Sequence, residues 1–445
     1  DTGPRFVPRS TLSCLMSFTL VEQAKRALGK GGGESHRDGL LRHSILLFVA
    51  LNLTMVANIA FTVMLGRTLS LEEFSVFLPL MSMVGVLSSP MQAVRTVITH
   101  YSARFMLEGR TRDIVRLIRQ WLIYITVVAV VLLLVVLTQV EWIMAYQNLD
   151  DPAPVHIMGF ILVVAMFYPI LGGAMQGLQA FRWVAAAAMT AAATKLICGC
   201  VLVFLVASTA SSGLLAHLIG TTATFAVAIC AIRPRLRNAE GEERSLPSTT
   251  PYFFRSCIVL ISFACIMQLP VIFVKHYFST EVAGEFSYAV TIARLVIFLP
   301  MPVTMALFPK VISEGGMTRE DQKLLIRGML YAIVLIGGSA CVCMLIPNVP
   351  LYILAGVTDP DAQQILLVRL LLLSMVPLGL GHMLMNFELA QHRFAIVPGA
   401  LISAVAYVAG ILIWHETVWQ IVGVTATMSV AFLVMLLISL PFRAD

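Results

Sequence analysis

Polar residues interrupt this chain at short intervals, and the segments between them are apolar on every side. Such segments run approximately over residues 42–66, 73–98, 116–139, 155–180, 183–207, 212–232, 252–275, 284–309, 324–347, 364–389, 394–414 and 417–440. Each is close to the roughly 20 residues that carry a helix across a bilayer core. A transmembrane barrel would show ~10-residue strands of alternating polarity instead, whereas Val127 to Val136 has no polar position at all. The pattern predicts an all-α integral membrane protein of about twelve transmembrane helices.

The two halves of the chain repeat. At an offset of about 208 residues Asp113 falls on Asp321, Arg119 on Arg327, Asp151-Pro152 on Asp359-Pro360, and Pro169 and Gly173 on Pro377 and Gly381. An offset of 209 aligns Ser70, Glu72 and Phe77 with Ser279, Glu281 and Phe286, and one of 211 aligns Arg182-Trp183 with Arg393-Phe394. Composition alone produces polar matches less readily than leucine on leucine. Six spans return the chain to its starting side, so the copies run parallel. Parallel repeats are related by an axis along the membrane normal and flank a central site between two rocking lobes. The expected organisation is an N-terminal segment over 1–40, an N-lobe over 41–232, a polar linker over 233–250 with four arginines, and a C-lobe over 251–445.

Charge sets the orientation, because loops on the cytoplasmic side retain Lys and Arg. With the N-terminus inside, Arg104, Arg110, Arg112, Arg116, Lys310, Arg319, Lys323 and the linker arginines share one side. The opposite loops carry Glu72, Glu73, Asp150, Asp151, Asp359 and Asp361, with Arg67 and Lys275 as their basic residues. Both termini are therefore expected in the cytoplasm. With 59% hydrophobic and 12% charged residues the chain lies far from soluble composition. The net charge of +6 reads as this topological signal beside anionic lipid, not as a nucleic-acid surface.

The first 40 residues are polar, with Met16 the expected native start; Leu15 to Leu28 suits either an interfacial helix or a disordered tail. Gly29-Lys30-Gly31-Gly32-Gly33 lacks phosphate-loop spacing. Cys198, Cys200, Cys341 and Cys343 have no histidine or carboxylate nearby in sequence, so no metal site and no cofactor is expected.

An ionisable group inside a span costs several kcal/mol unless it faces a cavity or a partner, so each is a functional candidate. Arg294, Lys195 and Arg369 are such cations, and no Asp or Glu lies as deep. Uncompensated positive charge selects an anion, and guanidinium binds phosphate oxygens bidentately. Arg294 is the principal candidate, with Lys195, Arg369, Gln92, Gln176 and Gln268 as further substrate contacts. Amides suit sugar hydroxyls and serve equally as glue between helices. Arg95, Arg116, Arg119, Arg182 and Arg393, near inner span ends, are candidates for a basic vestibule. Pro90, Pro169, Pro270, Pro300, Pro302, Pro309 and Pro377 are candidate bends.

The segment Leu65-Gly-Arg-Thr-Leu-Ser-Leu-Glu-Glu-Phe-Ser-Val-Phe77 resembles the corresponding stretch of prokaryotic oligosaccharide flippases. So does Phe278-Ser-Thr-Glu-Val-Ala-Gly-Glu-Phe-Ser-Tyr288, followed by Ala293-Arg294-Leu295, Phe298, Pro300 and Phe308-Pro309. These belong to the multidrug, oligosaccharide-lipid and polysaccharide exporter superfamily, and the resemblance covers roughly residues 40 to 440. It implies a MATE-like two-lobed fold in a bacterial inner membrane. The implied activity is movement of undecaprenyl diphosphate-linked oligosaccharide, made by glycosyltransferases inside and used by polymerases outside.

Arg294-Leu295 with Phe298 and Pro300 also resembles a motif of lipid II flippases, but Ala293 stands where they have an acid and their first-span arginines are missing. A multidrug cation exporter of the same superfamily is the main alternative. Such exporters generally use a membrane carboxylate, where the first span here has Asn52 and Asn58. A membrane enzyme would need an ionisable constellation in a long loop, and none is visible.

Overall fold

A computed structural model describes residues 33–237, 249–298, 319–391 and 393–440. The Leu15–Leu28 segment, Met16, the end of the eighth predicted span with Pro300, Pro302 and Pro309, and most of the linker lie outside these residues. Every regular element among the described residues is helical: α1 (Gly33–Thr68), α2 (Leu71–Ser88), α3 (Met91–Leu107), α4 (Thr111–Thr138), α5 (Val140–Gln147), α6 (Ala153–Gly177), α7 (Phe181–Leu205) and α8 (Ala210–Leu236) make up the first half. The second half comprises α9 (Thr250–Tyr277), α10 (Thr280–Phe298), α11 (Arg319–Ala332), a π-helical turn (Ile333–Gly337), α12 (Gly338–Leu345), α13 (Asn348–Ala355), α14 (Ala362–Ala390), α15 (Val397–Ile413) and α16 (Val418–Ser439).

Ten of these helical segments are long and apolar enough to cross a membrane. The other two expected crossings are the shorter α15, and α10, which carries three charged residues, Glu281, Glu285 and Arg294. Helix starts follow local chemistry. Ser70, Thr209, Asp361 and Thr417 each accept a hydrogen bond from a backbone N–H of the first turn they precede, and Thr417 forms a full capping box with Gln420. The carboxylate of Glu73 accepts the N–H of Ala210 at 2.6 Å, adding charge at the N-terminus of α8.

The second predicted span departs from expectation. Instead of one helix over 73–98, the chain breaks at Ser89-Pro90 into α2 and α3, because proline cannot donate within a helix interior but is accepted at its start. Pro169, Pro270 and Pro377 lie inside continuous helices. The sixth predicted span also runs past its expected end to Leu236, with Arg233 and Arg235 in its last turn, where cations favour the helix dipole.

From Ala50 onward the chain packs as one unit. Helix α9 is its most central span, 72% buried over its apolar window, and α6 follows at 61%; α7 is only 17% buried and carries its Ile197 and Phe204 outward. An outward apolar face beside a buried one is what lipid contact requires. Helix α2 links the halves by packing on α6 and α8 of its own and on α9 and α10 of the other.

The repeat is visible in the elements. The 208-residue offset carries α5 onto α13 from first residue to last. Both short helices end on a left-handed residue, Asn148 and Gly356. The sequence pattern ends the neighbouring spans at 139 and 347 and assigns these two helices to no element, because eight residues with polar positions such as Glu141, Gln147 and Asn348 are too short and too mixed to read as a span.

Candidate functional site

Arg294 sits in the interior of α10 and is only 8% exposed. Its Nη1 donates to Ser82 Oγ of α2 at 3.2 Å, and its Nη2 to the Met267 carbonyl of α9 at 2.6 Å. Both partners are neutral. The Met267 carbonyl lies next to that of Ile266, which Pro270, lacking an N–H, leaves without its helical donor. Arg294 Nε is buried without a hydrogen-bond partner among the described residues. Beside this group the Gln268 amide lies against Gly85 of α2, whose Cβ, were there one, would stand 2.8 Å from Gln268 Nε2. The 209-residue offset places Gly85 opposite Arg294 and Ser82 opposite Thr291. The cation therefore belongs to one half, and the other supplies the space and a hydroxyl.

No salt bridge among the described residues includes Arg294; they join Arg104 to Glu108, Arg110 to Glu108 and Asp113, and Arg393 to Glu388. Asp113 and Glu388 are also the fully buried acids of these residues, and each sits near a helix end with its arginine. Glu285, nine residues before Arg294 and on the opposite side of α10, accepts from Gln364 Nε2 at 2.8 Å.

A second polar group lies within the first half. Lys195 of α7 donates to Asn58 Oδ1 of α1, and its ammonium stands 4.8 Å from the centre of the Phe61 ring. Helix α8 comes close enough here that a Cβ on Gly220 would be 2.9 Å from Lys195 Cβ. His217, one turn earlier on α8, lies in the field of this lysine. The two cations are thus held by different helices: Arg294 by α2, α9 and α10, Lys195 by α1, α7 and α8.

The other predicted contacts divide. Gln268, next in sequence to Met267, packs on Gly85 of α2. Gln176 accepts from Arg95 Nε at 3.3 Å and lies 3.5 Å from Thr99 Oγ1, so a residue read as substrate-binding and one read as vestibule form a single contact between α6 and α3. Gln92 is exposed one turn before it on α3. Arg369 is exposed and donates from Nε to the Met344 carbonyl at 3.0 Å, at the end of α12, where the last carbonyls lack helical partners. It stands apart from both buried groups. Arg116 and Arg119 are exposed in the second and third turns of α4 and Arg182 in the first turn of α7, and Arg393 pairs with Glu388 at 3.2 Å. Sequence reading missed Ser82, Gly85 and His217. For the first two the signal existed, since the repeat register sets Gly85 against Arg294. The described cysteines are free, and no group of three or more metal-ligating side chains occurs among the described residues.

The sequence matches no protein-family model and no curated protein. Its fold has solved counterparts. An inward-facing multidrug resistance transporter of the MATE family, in the MOP superfamily, superposes with a TM-score of 0.67 at 12% identity, over 86% of this chain and 92% of that one. A eukaryotic MATE transporter gives 0.67 at 14% identity, over 91% and 97%. A MOP superfamily transporter from Pyrococcus furiosus, described as having a binding pocket of reversed polarity that suggests a different function, gives 0.60 at 15% identity, over 89% and 93%. This multi-pass membrane protein has the two-lobed, twelve-helix fold of MATE transporters.

Proposed function

We propose that the protein is a flippase that moves undecaprenyl diphosphate-linked oligosaccharide across a bacterial inner membrane, for O-antigen, capsule or exopolysaccharide synthesis. Its lobes, residues 41–232 and 251–445 joined through 233–250, rock to expose a site between them alternately to the two sides, with both termini in the cytoplasm. The observation that carries this reading is Arg294, a guanidinium buried between the halves and held by a hydroxyl and a carbonyl, both neutral. Neutral acceptors position the group without cancelling its charge, so it remains available to an anionic headgroup. A diphosphate entering an apolar passage needs such compensation for its lost hydration. Lys195 supplies a second cation, bound by the Asn58 amide and the Phe61 ring. Glycosyltransferases would deliver the substrate and a polymerase consume it.

The second reading is export of organic cations, favoured by the multidrug transporters among the structural counterparts. Buried charge separates the two: a cation carrier calls for a membrane carboxylate, whereas the buried acids described here are paired at helix ends. The polarity reversal described for the Pyrococcus furiosus transporter supports reading substrate charge from buried charge within this fold.

The test is translocation of a fluorescent undecaprenyl diphosphate-linked oligosaccharide in proteoliposomes, comparing wild type with Arg294→Ala and Arg294→Lys at matched incorporation. The expected result is transport that collapses in the alanine variant and is partly restored by lysine. Undiminished transport by Arg294→Ala removes this residue from the mechanism. Wild-type efflux of an organic cation without lipid-linked transport establishes the exporter reading, and selective movement of lipid II the lipid II one.

A further inference from the structure

The short helices α5 and α13 are repeat copies, and each meets the end of the first helix of the opposite half. Arg67, in the last turn of α1, donates from Nη2 to the Tyr352 carbonyl at 2.7 Å and from Nε to the Ile353 carbonyl at 2.8 Å. Its guanidinium also lies 4.9 Å from the centre of the Tyr352 ring. His276, in the last turn of α9, places Nδ1 2.7 Å from the Tyr146 carbonyl and stacks on the Tyr146 ring with centroids 3.9 Å apart. A carbonyl only accepts, so this nitrogen carries its proton. Asn148 returns Nδ2 to the carbonyls of Lys275 and His276 at 3.1 and 3.3 Å. The offset of 209 that aligns Ser70 with Ser279 also aligns Arg67 with His276. Each half thus ends its first helix on a nitrogen base that bonds a carbonyl, and stacks on a tyrosine, of the other half's loop helix.

We infer that these two contacts form a reciprocal clasp closing one end of the passage between the halves, and that both must part for that end to open. The inference rests on the alternating-access reading proposed above. The seal beneath the clasp is tight. Tyr288 donates its hydroxyl to the Gly66 carbonyl at 3.2 Å and stacks on Phe74 at 4.6 Å, and Lys275 donates to Ser75 Oγ at 3.0 Å, all across the halves. A Cβ on Gly66 would stand 2.5 Å from the Leu354 carbonyl oxygen, so only glycine lets α1 approach α13 this closely. Both arms of the clasp act on backbone carbonyls and ring faces. Such contacts are strong at contact and lost within a few ångströms of separation, which suits a gate that is either shut or released.

The test uses spin labels at Asp150→Cys and Thr358→Cys, repeat-matched exposed positions in opposite halves, in a background with the native cysteines replaced and the protein in lipid nanodiscs. Wild type is expected to show a dominant short distance. Arg67→Ala should raise the long-to-short population ratio roughly tenfold, as loss of a charge-assisted hydrogen bond with its ring contact implies. His276→Ala should raise it by less, and the double variant should combine both effects. Tyr352→Leu, which keeps the carbonyls and removes the ring, should produce a smaller rise than Arg67→Ala. A control pair at Asp150→Cys and Ala207→Cys, both in the first half, should not move. An unchanged 150–358 distance in the double variant overturns the clasp, and so does movement of the control pair, which would make these contacts internal supports of a half. No substrate is needed for this readout. A protein that opens on clasp removal yet flips no lipid-linked saccharide keeps the clasp and loses the flippase reading, and active transport with unchanged distances does the reverse.

Discussion

Arg294 Nη2 donates to the Met267 carbonyl at 2.6 Å, so a charge on α10 is anchored to the backbone of α9 while Ser82 of α2 holds its other arm. Three helices from both halves converge on one guanidinium. An arginine in such a place costs about 2.5–3.5 kcal/mol on insertion scales, a cost that an apolar side chain of similar volume does not carry.

Arg294→Met is therefore expected to leave thermal stability in detergent unchanged or raised while transport falls at least tenfold. The check is a melting curve beside the proteoliposome assay. Loss of folding in Arg294→Met would mean that the residue holds the bundle together, and the functional assignment would fail.

Gly85 and Gly66 should respond differently to alanine, since a new Cβ meets a different neighbour in each. At Gly85 the obstacle is the Gln268 amide, the end of a flexible side chain that can swing aside. Gly85→Ala should cost under ~1 kcal/mol and show its effect in substrate affinity. At Gly66 the obstacle is the Leu354 main-chain oxygen, which moves only with its helix. Gly66→Ala should cost about 1–3 kcal/mol, in the range of overpacked sites, and melting curves of the two variants make the comparison.

Span positions, the parallel repeat and Arg294 as a buried cation were legible in the sequence because long apolar runs and isolated charges are strong local signals. The partners of Arg294 were not. Ser82 and the Met267 carbonyl reach it through packing of α2, α9 and α10, which no spacing along one helix encodes. Arg369 misled for a related reason: depth along a helix is readable, but the direction a side chain faces depends on its neighbours, and here the free carbonyls at the end of α12 hold it at the surface. The break at Pro90 was readable in principle, because Ser88-Ser89-Pro90 is a helix stop followed by a helix start.

The turn between α3 and α4 offers an asymmetric test. Asp113 is fully buried and bonds Arg110 at 2.7 Å, whereas Arg110 also bonds Glu108 at 2.8 Å and lies over the Phe105 ring at 4.6 Å. Removing the arginine strands a buried carboxylate, at a cost of about 3–5 kcal/mol. Removing the carboxylate leaves an arginine with two remaining partners. Arg110→Leu should therefore destabilise clearly more than Asp113→Asn in parallel melting curves, and equal losses would show that the pair contributes as a symmetric contact.

Acid should weaken the same turn through Glu108. The Arg104 hydrogen bond, and after it that of Arg110, holds this carboxyl below the ordinary glutamate range in the folded protein. A carboxylate whose folded pKa is depressed contributes stability that is complete above its unfolded value, about 4.3, and is lost as pH falls through the lower folded value. The side chain is 35% exposed, and its Arg104 partner is 60% exposed, so solvent screens the pair and the contribution is about 0.2–1 kcal/mol. Melting temperatures of wild type and Glu108→Gln should differ slightly at pH 7, with wild type higher, and converge below pH ~4 as the native carboxyl takes up its proton. A gap that persists or widens in acid would place the stabilising effect of Glu108 in packing, not charge.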